Sequence, residues 1–265
     1  VSAAAYRARS ATELIDATIQ ILRRNFATFY TLSALFTVPL YVIPPLLVPQ
    51  TARGTIATPS AVSITGLIVF FLLFIVLSAI FQTALFLASS DAYLGKPVVV
   101  ADVISRAMKR AAGMAWGYIY QSFAVGLASL LFIIPGIYVA LGLFAMPCII
   151  AIEGLTAGDA ASRSFDLSKG LKGHVFLTGL VGFIIYIVGF FIIFFIAGLA
   201  GGFGAQTLIS QIIMALGASA LLPLVPVTIT LLYYDARIRK EGYDIELMAQ
   251  QTGGPGAPPA KPQPA

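Results

Sequence analysis

The stretch "ITGLIVFFLLFIVLSAIFQTALFLA" (64–88) decides the fold, because it contains no charged side chain from end to end. As a helix rising ~1.5 Å per residue it is longer than the ~30 Å hydrocarbon core of a bilayer, and it needs no partner to satisfy its backbone there. It is not isolated. Working outward, residues 25–52, 54–90, 111–152 and 175–234 are all free of Asp, Glu, Lys and Arg. Across all 265 residues, 59% are apolar and only 10% charged, too few charges to coat a water-facing surface. The fold class expected is an all-α integral membrane protein.

The window 25–52 reads as one span, with Pro39, Pro44, Pro45 and Pro49 expected to kink or fray its far end. The window 54–90 reads as one more. Residues 111–152 would make ~63 Å of continuous helix, and the turn dipeptide Pro135-Gly136 divides them into spans at about 115–134 and 137–152. Residues 175–234 would make ~90 Å, divided at the glycines Gly198, Gly201, Gly202 and Gly204. Six spans result. Of the 16 Lys and Arg, only Arg53 falls in a segment that six spans place opposite all the others, so both termini are expected in the cytoplasm. A seventh span would put the basic group Arg237, Arg239 and Lys240 outside. The organisation expected is a cytoplasmic segment 1–24, a six-span domain 25–236 and a cytoplasmic tail 237–265, Pro/Gly-rich and disordered from about 252.

Each pair of spans follows an amphipathic stretch. Ser10-x-x-Glu13 has capping-box spacing, and Leu14, Ile15, Thr18, Ile19 and Leu22 share a face that ends at Arg23-Arg24. Val100, Val103, Ile104, Ala107, Met108 and Ala111 repeat the pattern and close on Lys109-Arg110. Thr156-x-x-Asp159 opens a third stretch, which ends near Lys169 and Lys172. The bundle is therefore expected to be three units of interfacial helix plus two-span hairpin. Arg23, Arg24, Lys109, Arg110, Lys169 and Lys172 are the candidate contacts to anionic lipid headgroups of the cytoplasmic leaflet. The plainer alternative is that these helices cap the bundle and fix its orientation.

Other chemistry is sparse. One cysteine, Cys148, and one histidine, His174, supply neither a disulfide nor a common zinc ligand set, and no cofactor, metal or nucleic-acid partner is expected. No charge interrupts the spans, which argues against an ion-coupled pump. A path for a neutral or amphiphilic solute would use Gln121, Gln206 and Gln211 and a helix break at Pro223 and Pro226, although glutamines in spans more often bond neighbouring helices. Glu153, Asp159, Arg163, Asp166, Asp235, Arg237 and Glu241 are placed to gather into an ion-pair ring at the mouth of the bundle. No catalytic residue is assigned.

Four stretches carry a family resemblance: "ELIDATIQILRRNFATF" (13–29), "AYLGKPVVVADVISRAMKR" (92–110), "PGIYVALGLFAMPCIIAIEGLTAGDAASRSFDLSKG" (135–170) and "LLYYDARIRKEGYDIE" (231–246). In that order they resemble the membrane-domain family of glycerophosphoryl diester phosphodiesterase, with its stand-alone bacterial relatives, over about residues 10–248. In such hydrolases a separate soluble barrel carries the chemistry, and no counterpart of it is found in these residues. The resemblance implies a non-enzymatic membrane module in a bacterial cytoplasmic membrane, one that organises lipid or a membrane protein partner. A transporter or channel is the second expectation, and a membrane-embedded lipid enzyme the third.

Overall fold

The computed structural model describes residues 8–47, 61–202 and 207–243. Among them helices are the only regular structure. They are α1 (Ala11–Arg24), α2 (Phe26–Leu47), α3 (Ala61–Tyr93), α4 (Val100–Leu131), α5 (Ile133–Gly142), α6 (Met146–Ile152), α7 (Ala157–Ser168), α8 (Lys172–Gly201), α9 (Leu208–Leu221) and α10 (Leu224–Glu241). Five segments are long and apolar enough to cross a membrane: Phe26–Pro44, Ile64–Tyr93, Ile133–Ile152, Lys172–Gly201 and Leu208–Glu241. The chain is a helical, multi-pass membrane protein. The expected third span, inside α4, is not among the five; Lys109 and Arg110 precede it, and Gly117, Gln121, Ser122 and Gly126 dilute its apolar character.

Local chemistry sets most boundaries. Ser10 accepts from the Glu13 amide, and the Glu13 carboxylate accepts from the Ser10 amide 2.8 Å away, a complete capping box at the head of α1. Thr156 caps α7 with its hydroxyl, which accepts from the Asp159 amide, without the reciprocal backbone bond of a capping box. Gly202, at φ 87°, ends α8 in a conformation that side chains with a Cβ avoid. Proline does not end α2, which is helical through Pro39, Pro44 and Pro45 to Leu47.

Two expectations change. Pro135-Gly136 is not a turn; α4 ends at Leu131, Phe132 is extended, and both residues lie in the first turn of α5. Proline is tolerated there because the first amides of a helix have no intrahelical acceptor to lose. Gly136 is needed for another reason: a Cβ on it would come within 3.1 Å of the Ser129 Cα in α4. The second amphipathic stretch is likewise not a separate helix. Nothing breaks the backbone between Val100 and Leu131, so Val103, Ala107 and Met114 form one buried stripe along α4.

Burial is uneven along the spans. In α3 the first half exposes Ile68, Val69, Leu72, Leu73, Ile75 and Val76, while Ala84, Leu85, Phe86 and Ala88 near its end are buried. Helix α6 is buried from Met146 to Ala151 and forms the centre of the core with α10, α3 and α4. The outward faces of α3, α4 and α8 are sheathed in Leu, Ile and Phe, a surface suited to hydrocarbon and costly in water.

The apolar segment 133–152 is broken at Leu143–Ala145, and α7 fills the break. Ser164, fully buried, donates to the Gly142 carbonyl at 2.8 Å and accepts from the Ala145 amide at 3.1 Å. One hydroxyl thus satisfies both backbone groups that the missing helical turn leaves open. Ser164→Ala leaves them buried and unpaired, and should cost about 2 kcal/mol, measured as the shift in thermal unfolding of the protein in lipid nanodiscs. An unchanged midpoint would show that another group satisfies them.

Candidate functional site at the charged end of the bundle

Among the described residues the charged side chains converge on one end, where α3, α6 and α10 finish and α4 and α8 begin. The centre is the last turns of α10. Tyr233, buried, donates from its hydroxyl to Glu153 at 2.6 Å, just past the end of α6. Arg163 of α7 reaches the same carboxylate, with Nε 2.6 Å from Oε2, and also Glu241 at 3.1 Å. Arg237 pairs with Glu241 at 2.8 Å and lies over the Tyr243 ring at 3.8 Å. Burial works against the charge of Arg163, but the hydrogen bond and charge of Glu153, followed by the charge of Glu241, prevail and hold its pKa above that of an ordinary arginine.

Two neighbouring clusters complete the end. Asp235 is almost fully buried and accepts from the Arg9 amide and from Arg239 Nε, each at 2.7 Å, with His174 Nε2 at 3.2 Å. Arg239 in turn donates to the Arg9 carbonyl at 2.7 Å, so the segment entering α1 is held on both backbone groups. On the other side Tyr234 shares a 2.6 Å hydrogen bond with Ser90 and stacks on Tyr93 and Tyr243. Asp91 pairs with Arg106, which also meets Asp102 at 2.9 Å.

Of the expected ring, Glu153, Arg163, Arg237 and Glu241 come together. Asp235 forms its own cluster, Asp166 pairs with Lys169 at 2.7 Å, and Asp159 accepts from Thr156 at the head of α7. Asp159, Arg163, Asp166, Lys240 and Glu241 line an open cleft of about 430 Å³ between α7 and α10.

The six candidate headgroup contacts divide. Arg110 donates to the carbonyls of Ala151 and Ile152, which end α6, so its guanidinium serves as a helix C-cap. Lys172 sits 3.0 Å over the Tyr138 ring, and Lys169 holds Asp166. Arg23, Arg24 and Lys109 are exposed, and among the described residues they make no ion pair. Helix α1 turns its buried face, Leu14, Ile15 and Thr18, to α10 and α8; the Thr228 hydroxyl is 3.5 Å from that of Thr18.

The solute-path residues are not assembled. Gln121 is on α4, which packs on α3, α5, α6 and α7, whereas Gln211 is buried on α9 against α2 and α8. Gln206 lies outside the described residues. The break at Pro223 is present between α9 and α10, and Pro226 is buried one turn beyond. Among the described residues no group of three His, Cys, Asp or Glu is placed to hold a metal ion.

The chain matches no family model, no curated protein and no solved structure. Function therefore has to be argued from the geometry. Sequence reasoning missed the roles of Tyr233, 80 residues from Glu153, of Tyr234 and Ser90, 144 residues apart, and of Ser164, 22 residues from Gly142. The tyrosine pair in "LLYYDARIRKEGY" was the available signal, since a tyrosine buried at a membrane edge needs a partner for its hydroxyl.

Proposed function

We propose that the chain is a non-enzymatic, six-span module of a bacterial cytoplasmic membrane that organises lipid or a partner protein at its cytoplasmic face. The observation that carries this reading is the division of labour among charges at one end of the bundle. Most acids are engaged by nearby cations and tyrosines, while Arg23, Arg24 and Lys109 project outward as surplus positive charge. Such charge near an anionic leaflet gains about 1 kcal/mol per residue.

The sixth span in this reading is the part of α4 from Met114 to Leu131, about 27 Å of helix without a charge. Its exposed Trp116, Ile119, Phe123 and Leu127 suit contact with lipid. Both termini are then cytoplasmic, and α1, the head of α4 and α7 each precede a pair of spans. The resemblance to the membrane domain of glycerophosphoryl diester phosphodiesterase belongs to the same proposal, as that of a membrane module.

The test is extraction in polymer nanodiscs without detergent, followed by mass spectrometry of everything that co-purifies in stoichiometric amount. An enriched anionic lipid, lost on changing Arg23, Arg24 and Lys109 together to Gln, supports lipid organisation. One constant partner protein supports the scaffold arm. A stoichiometric neutral solute with neither of these would overturn the reading in favour of transport.

A further inference from the structure

An apolar groove of about 230 Å³ runs between α2, α3 and the head of α4. Its floor is Leu32, Phe81 and Ala84, all buried, and its rim is Leu35, Leu73 and Leu77, each exposed by 44% or more. Phe36 stacks on Phe81 and leans on Phe74 with ring centroids 4.4 Å apart in both cases, which holds the wall in place. We propose that this groove holds one acyl chain of an anionic glycerophospholipid from the leaflet at the charged end, with Arg23 and Arg24 at its headgroup. The assignment rests on the lipid-organising reading above and gives that reading a site.

Three observations choose this occupant. The groove opens through its leucine rim onto the lipid-facing side of α3, so hydrocarbon is the medium that borders it. Its length fits one leaflet: Leu32 to Ile43 on α2 is about 16 Å and Phe70 to Ala84 on α3 about 21 Å, against roughly 15 Å for half of a bilayer core. Its inner end has a defined polarity. Ile104 lies two residues from Arg106, and Ala84 lies two turns before Asp91, so the groove starts beneath the charged end and runs away from it. At that end the chain passes from α1 into α2, placing exposed Arg23 and Arg24 eight to nine residues from Leu32, about 12–14 Å at helical rise. An acyl chain bound lengthwise brings its phosphate to the side where these arginines stand.

The experiment uses the full chain in phosphatidylcholine nanodiscs with a trace of phosphatidylglycerol carrying a diazirine on one acyl chain. After irradiation, labelled peptides are mapped. Label on Phe36, Leu77 and Phe81 should exceed that on the outward face of α8, Phe183 to Phe195, by about thirtyfold, the ratio expected for two arginines at the headgroup. Leu35→Trp or Leu77→Trp, each on the rim, should abolish the groove label and leave the α8 label unchanged. Arg23→Gln with Arg24→Gln should remove the preference over the same probe on phosphatidylcholine. Equal labelling of groove and α8, or equal labelling by both headgroups in the unaltered protein, would overturn the assignment. If anionic lipid remains enriched in the extracted annulus, only the groove falls; if that enrichment is also absent, the lipid-organising reading falls with it.

Discussion

Asp235→Ala is expected to loosen α1 from the bundle and to lower stability by about 3 kcal/mol, the low end of the range for breaking a buried ion pair. The carboxylate is 3% exposed and accepts from the Arg9 amide and from Arg239, with His174 Nε2 3.2 Å away. Its removal takes away the acceptor shared by the Arg239 Nε–H and the Arg9 amide. Arg239 is partly open to solvent, which moderates the penalty. The loss should be localised, because Arg239 also donates to the Arg9 carbonyl and keeps its place only while Asp235 anchors it. Hydrogen exchange of the protein in nanodiscs should therefore rise across Ala11–Arg24 and stay unchanged in the middle of α8. Unchanged protection in α1 would show that its apolar contacts with α8 and α10 hold it unaided.

The second large effect is expected at Gly142. A Cβ added there would lie 2.5 Å from Cζ and 2.7 Å from Cδ1 of the Phe165 ring. The ring cannot fold away as a long aliphatic chain can, since α7 is fixed in the break by Ser164 and by the Arg163 pairs. Gly142→Ala should therefore cost about 1–3 kcal/mol through overpacking. The cause is separable from any loss of helix propensity. In a double-mutant cycle, Phe165→Ala should recover much of the loss, because it removes the atoms that collide. Strict additivity of the two substitutions in thermal unfolding would contradict the account.

Five of the six expected spans were legible because membrane insertion is governed by local composition: a charge-free run is visible without knowing its neighbours. Caps were legible for the same reason, since Ser10 and Glu13 are three residues apart. Breaks were harder. The glycines at 198–202 do end α8, but Pro135-Gly136 looked the same on paper and lies within α5, where proline loses nothing and glycine serves a contact with α4. Continuity of α4 was hidden because an amphipathic stretch followed by an apolar one reads as two elements when no breaker separates them. The roles of charged residues depended on tertiary contacts. Arg110 looked like an exposed headgroup contact, and only the position of α6 makes it a cap. Gln121 and Gln211 looked alike in polarity, yet their helices pack on different neighbours. Tyr233 and Glu153 are 80 residues apart, and no pattern in either segment names the other.

Orientation is the claim on which the functional account depends, since both the lipid face and the groove belong to the leaflet at the charged end. It is tested most directly in intact cells, with topology reporters fused at Gly202, beyond the end of α8, and at Gly254, in the chain after α10. The account predicts an external signal at Gly202 and a cytoplasmic one at Gly254. A cytoplasmic signal at Gly202, or an external one at Gly254, would contradict it.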